Sequence, residues 1–515
     1  MDRRKFLKNT ISSSIAVTTT SGIALSNDLN AKEQSEFMTS KNKEPLVRVV
    51  DLDMGEETEI KLHDGSMAKV KLLGVEERRE PVFETLKEAV VQIEINGEHA
   101  ELISSSYRLP VTIGGVQVDV PAVGAYMKDT SVDWWRLKKA ARIRLWPAGS
   151  AWIRKGSFRY PVKQRWFAST TWYSNEAVSP ATPGKVYYHA GMDFGGTEGL
   201  TEIVAATDGI VMVLGDQSLE DNPKHTPVIS RARYDVVYIQ DKRGWIYRYS
   251  HMQAIDPSLQ LGTKIKMGQR LGYIGKEGGS GGWTHLHFHI ESLQPSGELG
   301  IEDCYAFLWQ AYREEYDPQL LAVARPHLKA LPGEEVTLDA SRSWAKNGIR
   351  SFDWTFSDGT GSTGAKVNRI YDQPGRYSEV VKVTDQTGNI EYDFVWVDVY
   401  PGAQKYTVDV VAHSIPRVHA VHHPTNGIKA GDPVIFTSRG FQAQPLGGKD
   451  IYDFGDGSPE VSVPSNIDND KHAANGYGMV VHHFKEPGHY IVKVERKDEE
   501  TGYVAMHHLH VVVVP

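Results

Sequence analysis

Three histidines alternate with apolar residues in Thr284-His285-Leu286-His287-Phe288-His289-Ile290. On a strand successive side chains point to opposite faces, so His285, His287 and His289 share one face while Leu286, Phe288 and Ile290 face a core. Upstream, Tyr188-His189-Ala190-Gly191-Met192-Asp193-Phe194 sets a histidine and an aspartate four apart. Gly191 between them, with Gly195-Gly196 after them, argues against a helix and for a strand end running into a turn. Two histidines and one aspartate are a ligand set for zinc that leaves a fourth tetrahedral position open to water, which distinguishes catalytic from closed structural sites. Water in that position ionises near neutral pH, and a neighbouring histidine can take or give its proton. Unrelated surface histidines would explain either motif alone; they explain the pair badly.

The order HxxxD then HxH, with Tyr249-Ser250-His251-Met252 between, resembles the lysostaphin-type zinc endopeptidases, many of which cut the peptide part of bacterial cell walls. Gly199 to Val213 is similar to that family's hairpin beneath the site, and Ile265 to Gly275 resembles its segment leading into a Gly-rich loop before the HxH. The resemblance runs from about Phe158 to Leu293. Carried over residue by residue, it implies that His189, Asp193 and His287 hold one Zn2+ per chain. It implies His285 as general base or acid, with His251 as its partner in orienting water or stabilising an oxyanion. The sequence departs from the family's pattern at His289, where an acidic residue is common; we read it as a polar residue at the open edge of the strand. It departs again at Gln217 to Arg233, longer than the usual tight turn and containing Pro223, His225 and Pro227, which reads as a loop at the rim of the groove.

The glycines of Gly278-Gly279-Ser280-Gly281-Gly282 let a loop approach a substrate backbone closely, and Trp283 can form one wall. Gly281 and Trp283 are therefore the candidate substrate contacts. A narrow groove of this kind admits small residues such as Gly or Ala beside the cut bond. Acidic and basic residues are balanced in the peptidase segment, which implies no strong field there.

The elements around these motifs are predominantly all-β. At 515 residues the chain needs several cores. Met1 to Ala31 opens with Asp2-Arg3-Arg4-Lys5-Phe6-Leu7-Lys8 and a modest apolar run, and reads as a twin-arginine export signal, followed by a linker over 32–43. Residues 44–153 form a β-rich N-terminal domain: Val91-Gln-Ile93-Glu-Ile95 alternates into an Asn96-Gly97 turn, and Val116-Gln-Val118-Asp-Val120 repeats the arrangement. It reads as a groove-covering or substrate-positioning module, with Trp134-Trp135 at an interdomain contact. The antiparallel peptidase domain takes 154–300, and 301–321 a helix and linker whose Tyr305, Leu308 and Tyr312 are packing residues. Two immunoglobulin-like β-sandwiches follow at 322–401 and 402–515, marked by an internal repeat. Trp354-Thr-Phe-Ser-Asp358-Gly359 returns as Tyr452-Asp-Phe-Gly-Asp456-Gly457, and Val381-Lys-Val383 as Val492-Lys-Val494. Both units resemble PKD domains, and we expect adhesive modules on separate cores, dispensable for hydrolysis of a small peptide. The second is rich in histidine, including His422-His423, His482-His483 and His507-His508-Leu509-His510, read as surface residues.

Net charge is −8, which gives no reason to expect nucleic acid, and no run approaches the length of a membrane span once the leader is removed. The single cysteine, Cys304, rules out an internal disulfide framework. These features imply an exported periplasmic or extracellular zinc endopeptidase acting on peptidoglycan cross-links or Gly-rich peptides, with polymer or surface binding through the PKD units. An extracellular protease acting on elastin- or collagen-like proteins is the alternative within enzymes. A non-catalytic binding or regulatory scaffold is the alternative of another class, and the presence of all five chemical residues argues against it.

Overall fold

The computed structural model describes residues 44–182, 185–219, 232–403 and 415–515. The leader and linker expected over 1–43 lie outside the described residues, as do positions 220–231 of the expected rim loop. Strands predominate, and most of them pair antiparallel.

Two four-stranded sheets build the N-terminal unit. One runs in the order Arg48–Leu52, Ala141–Pro147, Val116–Val123, Val111–Ile113, and the other Glu57–Lys61, Met67–Arg79, Leu86–Ile95, Glu98–Ser104. Period-2 alternation sends Val91, Ile93 and Ile95 into the core between the sheets, and Asn96 and Gly97 both take positive φ to close the hairpin.

The sheet that carries the histidines is ordered Gln217–Ser218, Gly209–Leu214, Val237–Gln240, Ile246–Ser250, His285–Leu293, Met192–Gly195, Thr171–Tyr173. Leu286, Phe288 and Ile290 of its central strand are all 0% exposed. Their core also takes Tyr247, Tyr249 and the buried face of the helix Tyr305–Tyr316, including Tyr305, Leu308 and Tyr312. At about 1.5–3 kcal/mol per large apolar side chain, this face anchors the strand, and the histidines on the other face inherit their positions from it.

The sequence repeat falls at equivalent core positions of the two C-terminal units. Trp354, Phe356, Val381 and Val383 lie in one apolar cluster, and Tyr452, Phe454, Val492 and Val494 in another. The units are not separate, however. Strand Gly375–Asp385 meets strand Val504–Val514 at Arg376 and Ala505, joining both units in one ten-stranded sheet. That junction corrects the reading of the histidines. His419, His422, His507, His508 and His510 are buried rather than at the surface, because the two units and the peptidase sheet pack against the strands that carry them. Burial holds His422 down to about 3 and His508 and His510 down to about 4. His482 is half-buried, and His483 and His489 are exposed.

Candidate active site

Register places the first three candidate residues together. Met192–Gly195 pairs antiparallel with the central strand so that Asp193 stands directly across from His287, on the same face. His189 reaches that face because the chain turns sharply at Gly191, whose φ is +77° and where a Cβ would strike the Phe288 carbonyl and the His289 Cβ. Backbone bonds fix His189 itself: its N–H donates to the Glu176 carbonyl at 2.8 Å and its carbonyl accepts the Asn175 N–H at 3.0 Å. Asn175 is in turn tied to the N-terminal unit. Its side chain accepts the Trp135 indole N–H at 2.8 Å and donates to the Pro121 carbonyl at 2.8 Å.

One donor atom each from His189, Asp193 and His287 lies within 4.8 Å of the others, all three residues buried, a grouping able to hold a metal ion. Asp193 Oδ1 is 3.0 Å from His189 Nε2 and 2.8 Å from His287 Nδ1. Burial would raise the Asp193 carboxyl, but the imidazoles of His189 and His285 outweigh it and hold the group well below its ordinary value.

His289 is not at an open edge. It is 0% exposed and bridges His287 to Glu291, with His287 Nε2 3.0 Å from His289 Nδ1 and His289 Nε2 3.0 Å from Glu291 Oε1. A carboxylate accepts, so His289 donates from Nε2 and takes the His287 Nε2–H at Nδ1. That leaves a lone pair on His287 Nδ1, facing the lone pairs of Asp193 Oδ1. Two acceptors held 2.8 Å apart in a buried site are reconciled by a shared cation, so the residues fit a bound metal.

His285 and His251 are set by the same logic. His285 Nδ1 is 3.0 Å from the Trp283 carbonyl and His251 Nδ1 is 2.8 Å from the Glu277 carbonyl. Each therefore carries its proton on Nδ1 and presents an Nε2 lone pair elsewhere; that of His285 lies 3.4 Å from Asp193 Oδ2. The two rings are 4.6 Å apart, and Trp283 stacks on His285 at 3.7 Å. Burial lowers the His285 imidazole to about 3 against the pull of Asp193. His251 sits at φ +68°, held there by its own N–H donating to Asp235 Oδ2 at 2.9 Å, while Arg233 pairs with Asp235. Sequence reasoning missed Asp235, Glu291 and Asn175. They are ordinary residues in ordinary surroundings until the sheet pairs.

Residues 187–297 match the model of peptidase family M23. This stretch is a peptidase family M23 domain. That family marks the M23 domain as a metallopeptidase. Residues 320–397 are a PKD domain by the same kind of match. Collagenase ColA of Clostridium perfringens (strain 13 / Type A) is 29% identical over 97 residues, which span 19% of this chain and 8% of that protein's length. Among solved structures, the PKD1 domain of the Vibrio cholerae metalloprotease PrtV is 26% identical, covering 16% of this chain and 90% of its own, with a TM-score of 0.12. Helicobacter pylori Csd3 in its orthorhombic crystal is 15% identical, covering 51% of this chain and 82% of its own, with a TM-score of 0.20.

The candidate residues of the M23 domain line a cavity of about 590 Å³ that includes His189, Asp193, His251, Gly281, Trp283, His285 and His287. The rest of the lining includes residues of the PKD domain and the unit after it: Arg376, Trp396, Arg417, His419, Arg439 and Lys471. The two later units, expected as adhesive modules on separate cores, thus also border the groove. The Thr284 N–H donates to the Tyr477 hydroxyl at 2.9 Å, Arg439 donates to the Gly282 carbonyl at 3.2 Å, and His472 Nε2 donates to the Gly278 carbonyl at 3.0 Å. The glycine-rich loop is therefore clamped by residues almost two hundred positions later. The N-terminal unit was expected to cover the groove or to position substrate. Among the described residues it contributes nothing to the cavity lining and instead supports His189 from behind.

Proposed function

We propose that the chain is an exported zinc metalloendopeptidase that hydrolyses peptide bonds in peptidoglycan cross-links or Gly-rich peptides. The convergence of His189, Asp193 and His287 on one point of the groove carries this reading. A nitrogen, nitrogen and oxygen donor set favours zinc over magnesium or calcium, which prefer oxygen shells. Zinc, when held there, supplies a Lewis acid that polarises the scissile carbonyl and acidifies water. The chain's own residues do the rest. His285 accepts a proton at Nε2 during attack and returns it to the leaving amine, while Trp283 and the Trp283 carbonyl fix the ring. His251, braced by Asp235 and the Glu277 carbonyl, accepts at Nε2 a proton of the attacking water and so orients it. Gly281 and Trp283 border the bound peptide.

An extracellular protease acting on elastin- or collagen-like proteins is a second reading, supported by the partial similarity to a collagenase. Export rests on the twin-arginine motif at Arg3-Arg4. Metal analysis of the purified protein should find about one zinc per chain. Digests of purified sacculi run beside elastin and casein, with wild type and His287→Ala, separate the substrates. Undiminished hydrolysis by His287→Ala or by metal-free protein would sink the proposal.

A further inference from the structure

The part of the lining supplied by the two later units is cationic. Among the described residues lining the cavity, Asp193 is the sole acid, and it belongs to the ligand cluster; Arg376, Arg417, Arg439 and Lys471 are the cations. Arg376 is neutralised by a two-bond pair with Asp398, at 2.6 and 2.8 Å. Arg417 lies 3.9 Å from that same, already shared carboxylate, bonds the Tyr400 hydroxyl at 3.0 Å, and has a buried Nε without a partner. Arg439 donates only to neutral acceptors, namely the Asn466 side chain and the carbonyls of Gly282, Asp468, Asp470 and Lys471. The carboxylates of Asp468 and Asp470 lie outside the lining and accept backbone N–H groups of their own loop. Three positive charges are therefore incompletely balanced in the lining of a peptide-sized groove.

Of these three, Lys471 is the one placed to meet a ligand directly: its side chain is exposed, whereas Arg417 bonds the Tyr400 hydroxyl and Arg439 is taken up by carbonyls and the Asn466 side chain.

We propose that this wall is a subsite for a carboxylate of the substrate peptide, received by Lys471 and countered by the charges of Arg417 and Arg439. The inference rests on the peptidase reading of the same groove and adds the chemistry of its substrate: a peptide bearing a free carboxylate, at a chain end or on a side chain, within a few residues of the cut bond. It also replaces the expectation of a field-free groove, which counted only the peptidase segment and omitted the wall supplied by later residues.

The test uses the full zinc-loaded chain and two peptide sets of one scissile sequence: one scanned Gln to Glu position by position, the other ending in either a free acid or an amide. At one position the carboxylate should raise kcat/KM at least tenfold through KM. The advantage should shrink severalfold between 50 and 500 mM NaCl, since partly exposed charges are screened. It should fall below about threefold in Lys471→Ala, whose side chain is exposed, and return in Lys471→Arg. Equal kcat/KM for acid and amide peptides at every position, with both cleaved, would overturn the subsite and leave the peptidase reading intact. Should no peptide be cleaved, the peptidase reading fails instead, and calorimetry decides the subsite alone: tighter binding of the acid peptide, lost in Lys471→Ala, supports it, and equal binding overturns it.

Discussion

At the scale of single residues, the division of labour among the five chemical side chains is open to direct measurement. Asp193→Ala and His287→Ala should each lose both metal and activity. His285→Ala should keep most of the metal while kcat falls by roughly two to four orders of magnitude, the usual contribution of a general acid-base group. Equal metal loss in all three would show that His285 is a ligand. His289 acts through His287, so its replacement should be felt first in binding. We expect His289→Phe to weaken zinc affinity by about 10- to 100-fold, measured by competition with a chelator, with activity partly restored by excess zinc. Unchanged affinity would mean that the Glu291-His289-His287 chain does not orient the ligand.

At the scale of elements, Gly191 is the test of how the ligand turn is made. Gly191→Ala should destabilise the chain by more than about 2 kcal/mol in urea titration, because a left-handed backbone cost of about 1–2 kcal/mol is joined by collision with the neighbouring strand. Gly97→Ala, at φ +85° with open space around it, should show only the backbone cost. The histidine strands of the last unit respond to acid. His422, His508 and His510 have folded pKa values of about 3, 4 and 4 against an ordinary 6.5. Above pH 6.5 their contribution is whole. As pH falls, the unfolded chain takes up protons that the folded unit refuses, at a cost of roughly 2 kcal/mol per histidine by pH 5. Hydrogen exchange in strands Arg417–His423 and Val504–Val514, corrected for intrinsic rate, should quicken between pH 6.5 and 4.5; constant protection would contradict this. Such strands also mark where the sequence stopped being informative. Period-2 alternation told which residues of His285–Leu293 share a face, and the Asp-Gly and Val-Lys-Val repeats identified the sandwiches, because both are local patterns. Whether the histidine face of a strand meets water or another module depends on partners far away in sequence, and no local pattern encodes that. His289, His422, His507, His508 and His510 were misjudged for this one reason.

At the scale of the whole molecule, a hydroxyl joins the M23 domain to the last unit. Tyr477→Phe strands the Thr284 N–H and removes the partner of His419 Nδ1, and an orphaned buried amide costs about 1–3 kcal/mol. We expect kcat/KM on even a short peptide to fall at least tenfold while secondary structure by circular dichroism is kept; full activity would show that the M23 domain needs no such support. The N-terminal unit is bound as firmly from the other side. Arg144, 1% exposed, pairs with Asp119 of that unit and with Glu302 and Asp303 beyond the central strand. The lining supplied by the later units also has a place in time. A ribosome that has finished Leu293 has yet to make Arg417, His419, Arg439 and Tyr477, and strand Val504–Val514, whose His507 accepts the Ala420 N–H, comes later still. Through that interval the groove lacks Arg417, His419 and Arg439 of its lining. We therefore expect a chain ending at Leu321 to leave a short peptide uncut, so that competence would arrive with the final strand rather than with the metal-binding residues.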